Sequence, residues 1–367
     1  MPGIIKRVYA LADGRELIYF DDADSSLPAG RAADGRLLDP RPATAAMRQD
    51  PLTGDWISVA AARQNRIFLP PAELDPFSPQ TPGNPSEIPS LYDVAVIENR
   101  SPSFGPGTGD PGDLDGIGLH RSAPAYGRCE VVCFSPAPEG AFGSLSRSRA
   151  RTVIEAWADR TAALSALPGI EQVFPFENRG EDIGVTIRHP HGQIYAYPYV
   201  TPRTQQLLRS AAAYGPGLFA DILAGEQAGE RMLLRGDHWS AFVPFAPHWP
   251  LEVHLMPHEQ VPDFAQTTGE QRDELALLYL RLLRGVDALY PTPTPYIAAW
   301  HQAPVHARRG DIRLHLQLTS PRRAWDKLKY LAGSEAAMGA WVADVPPEDQ
   351  AELLRAAIAR ADRENPV

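Results

Sequence analysis

The sequence predicts an α+β protein made of two related halves, each an antiparallel sheet with helices packed on it. Three observations point there. At 367 residues the chain is too long for one ordinary domain and comfortable for two. Strand and helix patterns follow an order that repeats: strands, a helix, then a polar, histidine-bearing strand, once before Pro202 and once after it. Those two strands share a spacing, His191-Gly192-Gln193 in the first half and His315-Leu316-Gln317 in the second. A boundary at residue 202 gives units 1–202 and 203–367.

Within the first half, 4–10 and 16–20 read as strands around the turn Asp13-Gly14. Further strands are expected at 56–60, 94–98 and 130–134. Residues 146–167 show apolar positions at helical spacing (Val153, Ile154, Trp157) behind Ser146 as N-cap. Strands follow at 171–176 and 184–199. In the second half, helices are expected at 205–213, 219–230, 269–289 and 348–362, and strands at 239–244, 252–256, 296–300 and 313–318. Proline is abundant, with 37 residues, and its density between Leu69 and Pro111 predicts long ordered loops there.

Composition excludes several classes. The net charge of −10 disfavours nonspecific nucleic-acid binding, which needs a basic face. No apolar run reaches the ~18 residues of a membrane helix, and the first residues lack the apolar core of a secretion signal. A cytoplasmic protein is expected, with no membrane partner. The two cysteines, Cys129 and Cys133, sit four apart in a strand, roughly 13 Å, too far to bridge. Both are expected buried and reduced.

Chemistry concentrates in His189-Pro190-His191-Gly192-Gln193. Alternate strand residues share a face, so His189, His191 and Gln193 are expected to point together. Pro190 favours an extended backbone before it. Buried imidazoles and amides cost free energy unless paired, so this is a poor core and a good phosphate-handling surface. A neutral imidazole can attack phosphorus near neutral pH while its other nitrogen is fixed by a hydrogen-bond acceptor. A paired surface histidine couple is the plainer alternative for a lone His-x-His.

The run Phe176-Glu177-Asn178-Arg179-Gly180, then Ile183-Gly184-Val185-Thr186, then His189 to Ala196 resembles galactose-1-phosphate uridylyltransferases, members of the histidine-triad superfamily. The resemblance continues in Asp50-Pro51-Leu52-Thr53-Gly54-Asp55-Trp56, Glu98-Asn99-Arg100, Trp300-His301-Gln302-Ala303-Pro304, Leu314-His315-Leu316-Gln317 and the stretch from Lys327 to Glu335. It implies two histidine-triad-like half-barrels and a ping-pong reaction: a uridylyl group passes from UDP-glucose to His191 and then to galactose 1-phosphate. By motif, His191 is the nucleophile, Gln193 steadies the adduct and Thr186 supplies a hydroxyl near the leaving phosphate. Asn178 and Gly184 meet the nucleotide phosphates and Asn99 the uridine. Lys329, Tyr330, Gly333 and Glu335 face the hexose phosphate. Arg63 and Arg66 reach a neighbouring subunit, implying a homodimer; without the resemblance they read as a solvated charged stretch.

The sequence departs from the family at its metal sets. Where some members have two cysteines and two histidines for zinc, this chain has Asp75, Ser78, Pro138 and His189. One imidazole cannot build a tetrahedral site, so no zinc is expected there, and His189 is expected to order the strand. At a second set His301 and His315 match, but Gln317 and Leu207 replace a histidine and a glutamate, a poor donor set for a transition metal. Two other readings stay open: adenylyl transfer or dinucleoside-polyphosphate phosphorolysis, and a nucleotide-sugar-binding protein without catalysis.

Overall fold

Eleven strands form one continuous antiparallel sheet among the described residues of the computed structural model, which are 3–39, 41, 45–65, 68–106 and 118–367. In chain order the strands are β1 (Ile5–Ala10), β2 (Glu16–Asp21), β3 (Val94–Glu98), β4 (Arg128–Cys133), β5 (Gln172–Arg179) and β6 (His191–Tyr197) in the first half. The second half supplies β7 (Met232–Arg235), β8 (Trp239–Phe242), β9 (Leu251–Pro257), β10 (Tyr296–His301) and β11 (His315–Ser320). Their spatial order is β1-β2-β3-β4-β6-β5-β10-β11-β9-β8-β7. The two sheets expected from the sequence therefore meet edge to edge, with Asn178 of β5 opposite Ile297 of β10. Outward from this seam each side presents its histidine strand next, β6 on one side and β11 on the other.

Strand alternation sorts the sheet into two faces. Ile194 and Ala196 of β6, Val132 of β4, Ala298 and Trp300 of β10 and Leu316 and Leu318 of β11 are buried in one core. Helices α1 (Arg147–Ser165), α4 (Gly269–Asp287) and α6 (Pro347–Glu364) contribute to that core; α2 (Pro202–Tyr214) and α3 (Leu218–Ala228) pack a smaller one, and α5 (Gly333–Met338) is short. Trp157 of α1, Phe264 and Trp300 interlock, with ring centroids 4.9–5.8 Å apart. Each such side chain is worth about 2–3 kcal/mol of burial. The helix starts follow from their caps. Ser146 Oγ accepts from Arg149 N at 3.1 Å, and Thr268 and Gln271 form a reciprocal capping box at α4. The opposite face carries His191, Gln193 and Tyr195, and this is where the polar chemistry lies.

The sequence reading differs from the structure in places that have local causes. The strand expected over 184–199 begins only at His191. Gly180 and Gly184 have φ of +102° and +81°, and the chain turns there before it can pair. His189 consequently stands before the strand, not on its face. Residues 56–60 form a strand, Trp56–Val59, but in a separate three-stranded sheet with Ala46–Gln49 and Ser122–Pro124. The cysteines are free and buried, as their spacing requires.

The N-terminal hairpin β1–β2 does more than extend the edge. Residues after it cross the proline-rich loop that follows residue 75. Ala32 N donates to Ser90 Oγ at 2.7 Å, Gln80 Nε2 to Asp34 Oδ1 at 3.3 Å, and Arg36 pairs with both Asp34 and Glu87. Arg15, 1% exposed, pairs with Asp13 and Glu87 and donates to the carbonyl of Glu98 at 3.0 Å.

Candidate active site

A cleft of about 390 Å³ opens over β3, β4 and β6 on the polar face, with His191 and Gln193 on its floor. β6 is fixed on both sides: Gln193 stands opposite Val131 of β4 and Phe176 of β5. Gly192, between His191 and Gln193, turns the other way. A methyl group there would lie 2.9 Å from the Phe134 ring and 3.0 Å from the Phe176 carbonyl, so only glycine lets the strand sit this deep.

His191 Nδ1 donates to the carbonyl of His189 at 2.7 Å. That bond places the proton on Nδ1 and leaves the lone pair of Nε2 for chemistry. Burial lowers the pKa of the ring to about 4, outweighing the hydrogen bond to His189, so the imidazole is neutral throughout the physiological range. The Phe77 ring stands beside it, centroid to centroid 5.3 Å. Gln193 lines the same cleft, and its amide forms no hydrogen bond with the described residues. Thr186 and Asn99 also line it; Asn99 Oδ1 accepts from Ser101 N at 2.9 Å, which sets the loop.

The structure brings together His191, Gln193, Thr186 and Asn99 of the expected residues. Asn178 lies on β5, one strand from His191, and Gly184 in the preceding turn, neither of them lining the cleft. His189 is 3% exposed and turned towards Asp75, 2.6 Å from its carboxylate, away from the cleft. Arg63 reaches Tyr195 Oη at 3.4 Å. Arg66 lies outside the described residues. The segment holding Lys329, Tyr330, Gly333 and Glu335 is also away from this cleft. Lys329 is buried against Glu335 at 2.6 Å and donates to the carbonyls of His248 and Val342, whereas Tyr330 is 81% exposed. Lys329 and Glu335 thus brace the segment from within.

Among the lining residues not expected as site residues are Arg15, Phe77, Glu87 and Arg100. Arg100 adjoins Asn99 and was within reach of the motif. Arg15 was not, because its place depends on how the N-terminal hairpin pairs with β3.

The donors at the two family metal sets do not suit a metal. Asp75 and His189 are bonded to each other, Ser78 Oγ donates to Asp75 at 2.5 Å, and Pro138 has no donor atom. At the second set His301 Nε2 faces Gln317 Oε1 at 3.1 Å, Gln317 donates to Glu252 at 2.8 Å, and His315 Nδ1 is spent on the Arg313 carbonyl at 2.7 Å. The His301 and His315 rings stack at 4.9 Å, and Leu207 packs among apolar side chains. Among the described residues no three His, Cys, Asp or Glu side chains converge as a metal needs.

Comparison with known proteins adds independent findings. Residues 38–201 match the N-terminal domain of galactose-1-phosphate uridyl transferase, and residues 204–362 its C-terminal domain. The galactose-1-phosphate uridylyltransferase of Streptomyces lividans is 44% identical, over 94% of this chain and 96% of its own length. That of Thermotoga maritima is 30% identical over 84% of this chain and 97% of its own length. A solved uridylyltransferase structure superposes with a TM-score of 0.77 at 29% identity, covering 86% of this chain and 99% of the other.

Proposed function

The chain belongs to the galactose-1-phosphate uridylyltransferase family, enzymes that move a uridylyl group between hexose 1-phosphates, and we propose that His191 carries the group in transit. The observation that carries this reading is the hydrogen bond from His191 Nδ1 to the His189 carbonyl, which leaves Nε2 as a lone-pair nucleophile facing the cleft. In the first step Nε2 attacks the α-phosphorus of UDP-glucose. The bond from that phosphorus to the bridging oxygen breaks, and glucose 1-phosphate leaves with the electron pair. In the second step a phosphate oxygen of galactose 1-phosphate attacks the same phosphorus and the N–P bond returns its electrons to Nε2. The bond broken and the bond made are alike, so the two half-reactions nearly balance. The Gln193 amide donates to a non-bridging oxygen as charge builds there, and the Thr186 hydroxyl serves the departing phosphate. Asn99 holds the uridine side, with Asn178 and Gly184 shaping the approach to the phosphates.

The test is intact-protein mass after mixing with UDP-glucose alone. A uridylyl-sized increment on the wild type, with release of glucose 1-phosphate, is expected. Bound nucleotide without an increment would overturn the covalent reading.

The acid limb of the reaction follows from the lowered pKa of His191. Protonation fills the Nε2 lone pair, so activity is lost as pH falls through that value and is retained above it. The uridylylation rate should stay level from pH 8 to about 5 and fall as pH nears about 4. A limb centred near 6.5, where an ordinary histidine titrates, would contradict the burial argument.

We also propose a homodimer and a cytoplasmic location. Trp325, Tyr330, Met338 and Val342 are 56–81% exposed within one short stretch that includes the hexose-phosphate segment. Exposed apolar side chains gathered in this way mark a contact surface, and the same stretch lies away from its own chain's cleft. Sedimentation should give the mass of two chains, and Tyr330→Asp should shift it to one; a monomeric wild type would sink the idea. The two free cysteines suit a reducing compartment, and among the described residues no helix is long and apolar enough to cross a membrane. A division of the chain at residue 202, the first residue of α2, completes the proposed organisation.

A further inference from the structure

His191 depends on an oxygen that is not on its own strand. The carbonyl that takes its Nδ1 proton belongs to His189, in the approach to β6, where the next carbonyl, that of Pro190, accepts from Phe134 N at 3.0 Å. The position of that carbonyl is set by this backbone bond on one side and by what holds the His189 side chain on the other. The ring is almost fully buried, and its Nδ1 donates to Asp75 Oδ2 at 2.6 Å. Nε2 sits 2.7 Å from the Ser135 carbonyl and 3.0 Å from Tyr92 Oη. Asp75 is fixed in turn, accepting from Phe77 N at 3.0 Å and from Ser78 Oγ, while Asn84 Nδ2 donates to its backbone carbonyl at 2.8 Å. Burial works against ionisation of Asp75, but its hydrogen bonds, the one from His189 foremost, win and hold the carboxyl below its usual range.

The second half contains the same device with different chemistry. His315 Nδ1 meets the carbonyl of Arg313, again two residues earlier. Arg313 is 4% exposed, and its guanidinium donates to the carbonyls of Pro257 and His258 at 3.1 and 3.0 Å. In each half a buried side chain two residues before the histidine anchors the carbonyl that orients it.

We propose that Asp75 is a positioning residue for uridylyl transfer: through His189, to which it is bonded, it holds the carbonyl that keeps the proton on His191 Nδ1. The proposal rests on His191 as the nucleophile. Without the anchored carbonyl the proton is free to move to Nε2, where it occupies the attacking lone pair.

Three measurements test it. Asp75→Ala should slow uridylylation about 10- to 100-fold, the usual cost of removing a partner that orients a histidine, with little change in the KM for UDP-glucose. Nitrogen NMR of His191, without substrate, should show part of its proton moved to Nε2. Asp75→Asn, which keeps the size and an acceptor, should fall between wild type and Asp75→Ala in both readings. The purified enzyme should carry well under one zinc per chain and keep its rate after dialysis against a chelator. An unchanged rate and an unchanged His191 tautomer in Asp75→Ala would overturn the proposal, as would stoichiometric zinc that Asp75→Ala releases. Should Asp75→Ala fail to fold, the Asp75→Asn readings decide: no change in either overturns it. A uridylyl adduct mapped to another residue would instead overturn the nucleophile assignment, so the two failures are distinct.

Discussion

His191→Gly should abolish uridylyl transfer, lowering kcat by about 10⁴-fold or more, while the protein still folds. Among the described residues the ring makes one hydrogen bond, to the His189 carbonyl, and leans on Phe77. The core face of β6 is built by Ile194 and Ala196, which the substitution leaves in place. Its cost to the fold is that of one glycine in a strand, about 1 kcal/mol. Its cost to the reaction is the whole covalent route, because no second histidine lines the cleft among the described residues, and Gln193 and Thr186 cannot form the adduct at neutral pH. The check is single-turnover kinetics with UDP-glucose, alongside thermal unfolding. A variant that folds and retains a tenth of the rate would remove His191 from the mechanism.

Gln193→Ala should lower the rate of both half-reactions by about 10²- to 10³-fold, with a much smaller effect on UDP-glucose binding. The amide lies two residues beyond the nucleophile on the same face of β6, and nothing among the described residues occupies it. It is thus free to donate to a group held in the cleft beside His191. A donor that acts as charge develops changes kcat; a donor that only holds the ground state changes KM. Rapid-quench rates for uridylylation and its reversal separate these. A rise in KM with kcat intact would make Gln193 a binding residue only.

The sequence made the reacting strand legible because its signal is local. His191 and Gln193 lie two apart in an alternating segment, and both stand on the cleft floor. The start of α1 was equally readable from its cap, Ser146. What escaped depends on partners far along the chain. Nothing near residue 15 announces that its guanidinium meets Glu87 and the Glu98 carbonyl, 72 and 83 residues away. His189 was placed on the strand face because alternation was extended backwards through Pro190. The positive-φ glycines and Asp75 decide otherwise, and Asp75 lies 114 residues before it. The replaced metal sets were visible as substitutions, whereas the bonds that replace them were visible only once the loops had folded together.

The N-terminal hairpin has a consequence for how such an enzyme can diverge. Its Arg15 and its partner Glu87 line the cleft, yet residues 5–36 lie before the stretch that matches the family's N-terminal domain, which starts at residue 38. His191, the proposed nucleophile, and its neighbour Gln193 are thus written in one part of the chain, and part of the wall around them in another. Changes in the hairpin can alter how firmly a nucleotide is gripped, or how much heat the loop beneath it withstands, with the reacting strand untouched. Grip and chemistry can then be selected separately, which lets a lineage adjust to a new substrate concentration or growth temperature without risking its nucleophile.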